Sequence, residues 1–239
     1  MPHMLPNRFP ASRLLLVLSI AVPLGVLGDA FWLRALKPSP PPWQGLDDRW
    51  DGLVGGPDSG LWWNLAELLN LLGGKPGLIL VAVGVIVLMS MRRWRSAVYV
   101  CAVIAATSLA VDAIKAVPDR ARPADIMVDT ASMSFPSGHS ARMAAFVVVI
   151  AVVAIPAARL RLWWPVAVLL TLAMMWARTW QHAHWLTDTI AGAATGWAVA
   201  TFLWWALTPL LDRERALRRA ARESITADGD RGAGGDSLS

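Results

Sequence analysis

The chain has 239 residues, of which 56% are hydrophobic and only 16% charged, with a mean hydropathy of +0.47. Soluble domains carry about 25% charged residues, so this composition excludes an ordinary soluble fold and predicts an all-α, polytopic membrane bundle. The net charge of +5 rests on arginine, lysine occurring only at Lys37, Lys75 and Lys115. These basic residues cluster between apolar segments, the pattern of membrane loops rather than of a nucleic-acid surface. The single cysteine, Cys101, excludes an internal disulfide and a cysteine-rich metal site. Within its apolar run it is expected to pack as a small hydrophobe.

In chain order, a polar start with Arg8 and Arg13 precedes Leu14–Leu36, long enough for a span of roughly 20 residues. Pro23 marks a kink in it. The basic start, apolar core and small residues near Gly28-Asp29-Ala30 also loosely fit a signal peptide. Residues 37–60, rich in Pro, Gly and Asp, read as a loop. Leu61–Leu72 places Asn64, Glu67 and Asn70 on one stripe, which predicts an amphipathic helix lying at the membrane interface. Five further spans are expected over Gly77–Met91, Ser96–Val117, Ser140–Ile155, Trp163–Trp180 and Trp185–Leu207, making six. Many of the 14 tryptophans flank these runs, as in interfacial belts. The sequence therefore predicts one transmembrane domain over residues 1–211, with its motifs in 96–208. A basic tail follows over 212–239, helical at first and disordered in its Gly/Asp/Ser end.

Charge sets the expected topology. With six spans, Arg8/Arg13, Arg92/Arg93/Arg95, Arg159/Arg161 and the Arg-rich tail fall on one side, the cytoplasm by the positive-inside rule. The loops at 37–76, 118–139 and 181–185 then face the extracytoplasmic side of a cell (inner) membrane together.

Three polar clusters fall on that side. In the first, Lys115 sits at the end of a span, followed by Pro118, Arg120, Arg122 and Pro123. Lys115 either snorkels to headgroups or forms a cationic clamp with Arg122; Arg120 reads as a solvated loop residue. The second is Phe135-Pro136-Ser137-Gly138-His139 at the mouth of a helix. It offers a hydroxyl, backbone N–H groups suited to an anion, and an imidazole able to move a proton. A Ser-Gly turn that merely caps the helix is the plainer reading of those residues alone. The third runs from Arg178 to His184 and Asp188. His184 and Asp188, four apart, share a face on a helix and are expected to hydrogen-bond, which suits a nucleophile or base. Arg178 joins them only if the chain turns near Gln181–Ala183. A buried His–Asp pair without a catalytic role is the alternative.

Together these clusters resemble the type 2 phosphatidic acid phosphatase family, relatives of bacterial acid phosphatases and vanadium haloperoxidases. The family's Lys-x6-Arg-Pro reads here as Lys115 to Pro123, its Pro-Ser-Gly-His as Pro136 to His139, and its Arg-x5-His-x3-Asp as Arg178, His184 and Asp188. The serine expected before the arginine is Ala177, and His182 occupies no motif position. The resemblance implies His184 as the nucleophile that forms a phosphohistidine, Asp188 as its orienting group and His139 as the acid for the leaving oxygen. It implies Lys115, Arg122, Ser137, Gly138 and Arg178 as the phosphate-binding set, with no metal and no cofactor. The expected partner is a lipid phosphate in the bilayer: undecaprenyl diphosphate, phosphatidylglycerophosphate or phosphatidic acid. A lipid phosphotransferase would use the same nucleophile, and an anion or lipid transporter could use the same cations. A transporter gives no reason for a His–Asp pair facing a second histidine.

Overall fold

The computed structural model describes residues 13–130 and 132–235, and among them every regular element is helical. In order these are α1 (Arg13–Leu36), α2 (Gln44–Val54), α3 (Gly60–Gly73), α4 (Lys75–Ser90), α5 (Trp94–Lys115), α6 (Gly138–Val153), α7 (Leu160–Trp180) and α8 (Leu186–Gly235). A short 3-10 turn at Ala157–Arg159 leads into α7. The polar start with Arg8 and the last four residues of the tail lie outside the described residues.

Four stretches are long and apolar enough to cross a membrane: α1, α5, α7 with its leading turn, and α8 as far as Ala221. A fifth arises if α3 and α4, bent by 54° at their junction, count together as one broken span. Gly77–Met91, read from sequence as an independent span, is thus half of a bent pair. At 16 residues α6 is shorter than the roughly 20 of a full crossing, but it is the hub of the bundle, packed against α8, α7, α5 and α3. Its Ala141, Ala144, Ala145, Val147 and Val148 are almost fully covered, so protein rather than lipid surrounds most of it.

Small residues let α8 approach α6 closely. A Cβ on Gly192 would overlap the Ser137 carbonyl, and one on Gly196 the Ala141 carbonyl. This small-xxx-small spacing brings backbones together where lipid leaves no hydrophobic drive for helix association. The approach carries a bond into the site, from Ser137 N–H to the Asp188 carbonyl at 2.9 Å.

At the opposite, arginine-rich end, the continuation of α8 is fastened to the bundle. Buried Glu214 accepts the N–H groups of Arg95 (2.9 Å) and Ser96 (3.1 Å) and the Ser96 hydroxyl (2.5 Å), a carboxylate at the start of α5 where the helix dipole favours it. Arg215 donates to the Val152 carbonyl near the end of α6 at 3.0 Å. The helix runs on to Gly235, past where composition alone suggests disorder. Cys101 is exposed on α5 rather than packed.

The segment 37–60 is not simply a loop, because it contains α2. The buried face of α2 is polar and its outer face apolar: Asp47 is fully covered, whereas Leu46 and Leu53, seven residues apart, are 54% and 81% exposed. Hydrophobic patterning looks for the reverse arrangement, which is why this helix was not legible.

Candidate active site

The ends of five helices meet opposite the basic end. Lys115 is the last residue of α5, Ser137 caps α6, Arg178 lies in the last turn of α7, Asp188 in the first turn of α8, and Gly73 closes α3.

The turn after α7 is built by its backbone. Ala183 N–H bonds the Arg178 carbonyl at 3.1 Å and His182 N–H bonds the Thr179 carbonyl at 3.0 Å, the two bonds of a Schellman motif. The residue at its left-handed position is His182, with φ +49°, where glycine is usual. A side-chain bond from His182 Nδ1 to Asp51 Oδ1 on α2 (2.8 Å) holds it there. The reversal returns His184 toward α7, its N–H reaching the Arg178 carbonyl at 3.3 Å. His182 is thus a structural residue of the site.

His184 is buried and precedes α8, so the pair with Asp188 is not one helical face meeting itself. Nδ1 of His184 lies 3.7 Å from Asp188 Oδ2, an electrostatic contact longer than a hydrogen bond. Nε2 lies 3.2 Å from Arg122 Nη1. A guanidinium can only donate, so Nε2 is the unprotonated acceptor and Nδ1 carries the hydrogen on the Asp188 side. Burial pushes the His184 pKa well below the ordinary histidine value, and the charges of Arg178, Arg122 and Lys115 push the same way. That direction favours the neutral ring.

Asp188 is fully covered and heavily engaged. Oδ2 accepts the Ser134 hydroxyl and the Trp185 N–H (3.0 Å), and Oδ1 accepts Arg120 Nη1 at 2.6 Å. The Trp185 bond is half of a capping box, the third residue of the helix reaching back to its N-cap. Arg120, expected to be solvated, is instead 7% exposed. It ties Asp188 to Asp47 Oδ2 (2.7 Å) and also reaches Thr187 (2.9 Å) and Gln44 (3.0 Å). Asp47 binds Thr187 twice more, through its N–H (2.9 Å) and hydroxyl (2.7 Å). Sequence reasoning missed this Asp47–Arg120–Asp188 chain: Asp47 sits in a helix that patterning cannot see, and the one signal was the nearness of Arg120 to Arg122.

The residues expected to bind phosphate come together from both sides. Lys115 Nζ bonds the Met133 carbonyl at 2.6 Å. Arg122 bonds the carbonyls of Ser132 (3.0 Å), Met133 (3.3 Å) and Ala183 besides His184. Arg178 is 2% exposed and donates to Gln181 Oε1 (2.7 Å) and to Asn70 Oδ1. Asn70 and Gln181 in turn bond the two oxygens of Glu67, each at 3.1 Å. Glu67 and Asn70 therefore face the site, whereas Asn64 points outward. The polar stripe read as an interfacial face supports Arg178. Ser137 accepts the Ser140 N–H at 3.4 Å, a weak cap. His139 has its ring against Gly73, where a Cβ would come within 2.7 Å of Cδ2, so the α3–α4 break must be glycine to lie beside this histidine. The positive charges of Arg178, Arg142 and Arg122 bear on His139, which places it in the same cluster. Among the described residues no group of three His, Cys, Asp or Glu is arranged to hold a metal ion.

Residues 96–211 match the model of the PAP2 superfamily. The crystal structure of a transmembrane PAP2-type phosphatidylglycerolphosphate phosphatase from Bacillus subtilis superimposes with a TM-score of 0.59 at 19% identity, covering 76% of this chain and 93% of that one. Comparison with curated proteins gives no significant match. The superposition shows a shared transmembrane fold, so this is a multi-pass membrane protein. The three motifs lie within the matched segment, in the order and spacing the family keeps, so residues 96–211 are similar to the PAP2 superfamily.

Proposed function

We propose that the protein hydrolyses a lipid phosphate or diphosphate through a phosphohistidine, at the extracytoplasmic face of the membrane. The observation that carries this reading is the placement of His184: buried, its Nε2 3.2 Å from Arg122 Nη1 and its Nδ1 3.7 Å from Asp188 Oδ2, with burial and the charges of Arg178, Arg122 and Lys115 holding its pKa below the ordinary histidine value. The substrate phosphoryl group would enter between Nε2 and the guanidinium, drawing Arg122 onto its oxygens. Lys115, Arg178, the Ser137 hydroxyl and the first N–H groups of α6 would complete the cradle for the charge developing on those oxygens. Nε2 then attacks phosphorus as the bond to the leaving oxygen breaks. His139, which burial and the surrounding arginines keep deprotonated, would take up a proton as the anionic substrate offsets those charges and pass it to that oxygen. Asp188 stabilises the cationic ring that results. Water next attacks the phosphohistidine, the P–N bond breaks, inorganic phosphate leaves and a proton returns to His139. General acid help of this kind is typically worth about 10²- to 10⁴-fold.

Membrane topology supports the sidedness. The arginines of the α4–α5 and α6–α7 turns and of the α8 extension gather at the end opposite the site, and the positive-inside rule puts that end in the cytoplasm. The deciding experiment is phosphate release from a panel of lipid phosphates and diphosphates by wild type and His184→Ala, each with EDTA. Release by wild type that EDTA leaves intact and His184→Ala abolishes is the expected result. Equal release by the variant would remove His184 as nucleophile.

A further inference from the structure

The cradle described above leaves one cation of the cluster without a task. Arg142 lies one helical turn after His139 on α6, inside what reads as an apolar run. Its Nε donates to the Gly73 carbonyl at 2.6 Å, closing a last-turn carbonyl of α3 that has no helical partner. That bond fixes the guanidinium plane beside Gly73, which itself touches the His139 ring. The terminal nitrogens Nη1 and Nη2 make no hydrogen bond with any of the described residues. They face the start of α6, where a Cβ on Gly138 would lie 3.5 and 3.8 Å from them. The charge of Arg142 bears on His139, Lys115 and Arg178 alike.

Among the described residues Arg142 forms no ion pair. Asp112, exposed on α5, acts on it only through space. A half-buried guanidinium without a counter-ion is unfavourable unless an anion visits it. Capping α3 needs one N–H, which leaves the bidentate edge of the guanidinium unused. On its far side a cavity of about 70 Å³ runs past Gly74, Gly77, Ile104 and Phe146 toward Leu78 and Leu80 on the outer surface of α4.

We propose that Arg142 binds the phosphate of the leaving group, so that the substrate is a lipid diphosphate cleaved at its terminal phosphate. This rests on the phosphatase reading above and names its substrate class. His184 Nε2 takes the terminal phosphoryl group and the P–O bond to the bridging oxygen breaks. The electron pair stays on that oxygen, which receives the His139 proton, and the lipid monophosphate departs with its phosphate on Arg142. Water releases inorganic phosphate from His184 as before. A phosphate attached to the bridging oxygen falls naturally to a cation flanking the acid that protonates that oxygen. A lipid alcohol leaving from a simple phosphomonoester offers Arg142 nothing to bind.

The test uses the full-length protein in detergent with farnesyl diphosphate and farnesyl monophosphate, reading kcat/KM for phosphate release from each. Wild type is expected to favour the diphosphate. Arg142→Gln is expected to lower the diphosphate-to-monophosphate ratio about 10- to 100-fold, as for a lost charge-assisted bidentate contact, and Arg142→Lys by less. A ratio measured on one preparation does not depend on the fraction folded, so partial misfolding of a variant cannot imitate the result. A ratio unchanged in Arg142→Gln, or a wild type that cleaves only the monophosphate, would overturn the inference and leave the phosphatase reading standing. A wild type that releases phosphate from neither would overturn both.

Discussion

Replacing Asp47 by Asn tests whether α2, which lies outside the matched family segment, belongs to the catalytic apparatus. Asp47 touches no group of the cradle. It fixes Thr187 in the first turn of α8 and shares Arg120 with Asp188, whose Oδ2 lies 3.7 Å from His184 Nδ1 and which is proposed to stabilise that ring. Asn keeps the shape and can still accept the Thr187 N–H, but it removes the charge that balances Arg120 on the far side of Asp188. Hydrogen bonds to charged groups are worth about 1.5–3 kcal/mol. One such arm, lost fully at the transition state, would slow the reaction by about one to two orders of magnitude, since 1.36 kcal/mol is tenfold. Because Arg120 keeps Asp188, Thr187 and Gln44, the lower figure applies, and kcat is expected to fall about tenfold with KM within about twofold. Asp47→Ala also strips Thr187 of its partner and leaves a buried cation half-compensated, a change that costs toward 3 kcal/mol in stability. The assay is steady-state phosphate release alongside thermal unfolding in the same detergent. Wild-type kcat in both variants would refute the positioning argument. A raised KM with unchanged kcat would instead make α2 part of the substrate's binding surface.

Two further outcomes follow from the same geometry. Burial and the charges of Arg178, Arg122 and Lys115 hold His184 below the ordinary histidine value, so it becomes protonated, and inactive, only at a pH under about 6.5. The acid limb of kcat/KM should therefore lie below that pH, and Arg122→Gln, which removes one opposing charge, should move it upward; a limb that stays or moves downward would contradict this cause. Gly192→Ala should lower both the unfolding temperature and kcat, because its Cβ meets the Ser137 backbone and overpacking costs about 1–3 kcal/mol. Gly84→Ala on α4, where nothing lies within 4 Å, should leave both intact, and equal behaviour of the two variants would dismiss the close α6–α8 approach.

What the sequence made legible was set by the kind of signal each part left. Long apolar runs announced α1, α5, α7 and α8, and the motif spacings brought Lys115, Arg122, Ser137, His139, Arg178, His184 and Asp188 to one end of the bundle. The bend between α3 and α4 was less visible, since the Gly73-Gly74-Lys75-Pro76 break looks the same whether the preceding helix lies flat or re-enters. Glu67 and Asn70 were noticed as a stripe but turned toward water, because patterning cannot tell a polar face meeting solvent from one meeting a buried arginine. Arg120 and Asp47 failed for a related reason. A buried ion pair is specified by two residues 73 apart in sequence, and neither carries any local mark of its partner.

Placement at helix ends helps two of the cations, Lys115 and Arg178, and the carboxylate Asp188 to sit beside His184. Lys115 and Arg178 occupy the last turns of α5 and α7, where the carbonyl ends of the helices favour positive charge. Asp188 sits in the first turn of α8, where the N–H ends favour a negative one. The start of α6 carries no acidic residue; with the Ser137 and Ser140 N–H groups taken by the Asp188 carbonyl and the Ser137 hydroxyl, those of Gly138 and His139, which a helix start leaves without a helical partner, face outward. Lys115, Arg178 and Asp188 are thus each compensated by their own helix, whereas Arg122, on the loop after α5, is held by the carbonyls of Ser132, Met133 and Ala183. In the proposed reaction a phosphoryl group entering beside His184 would meet cations already held in place, and little reorganisation would remain for the moment of transfer.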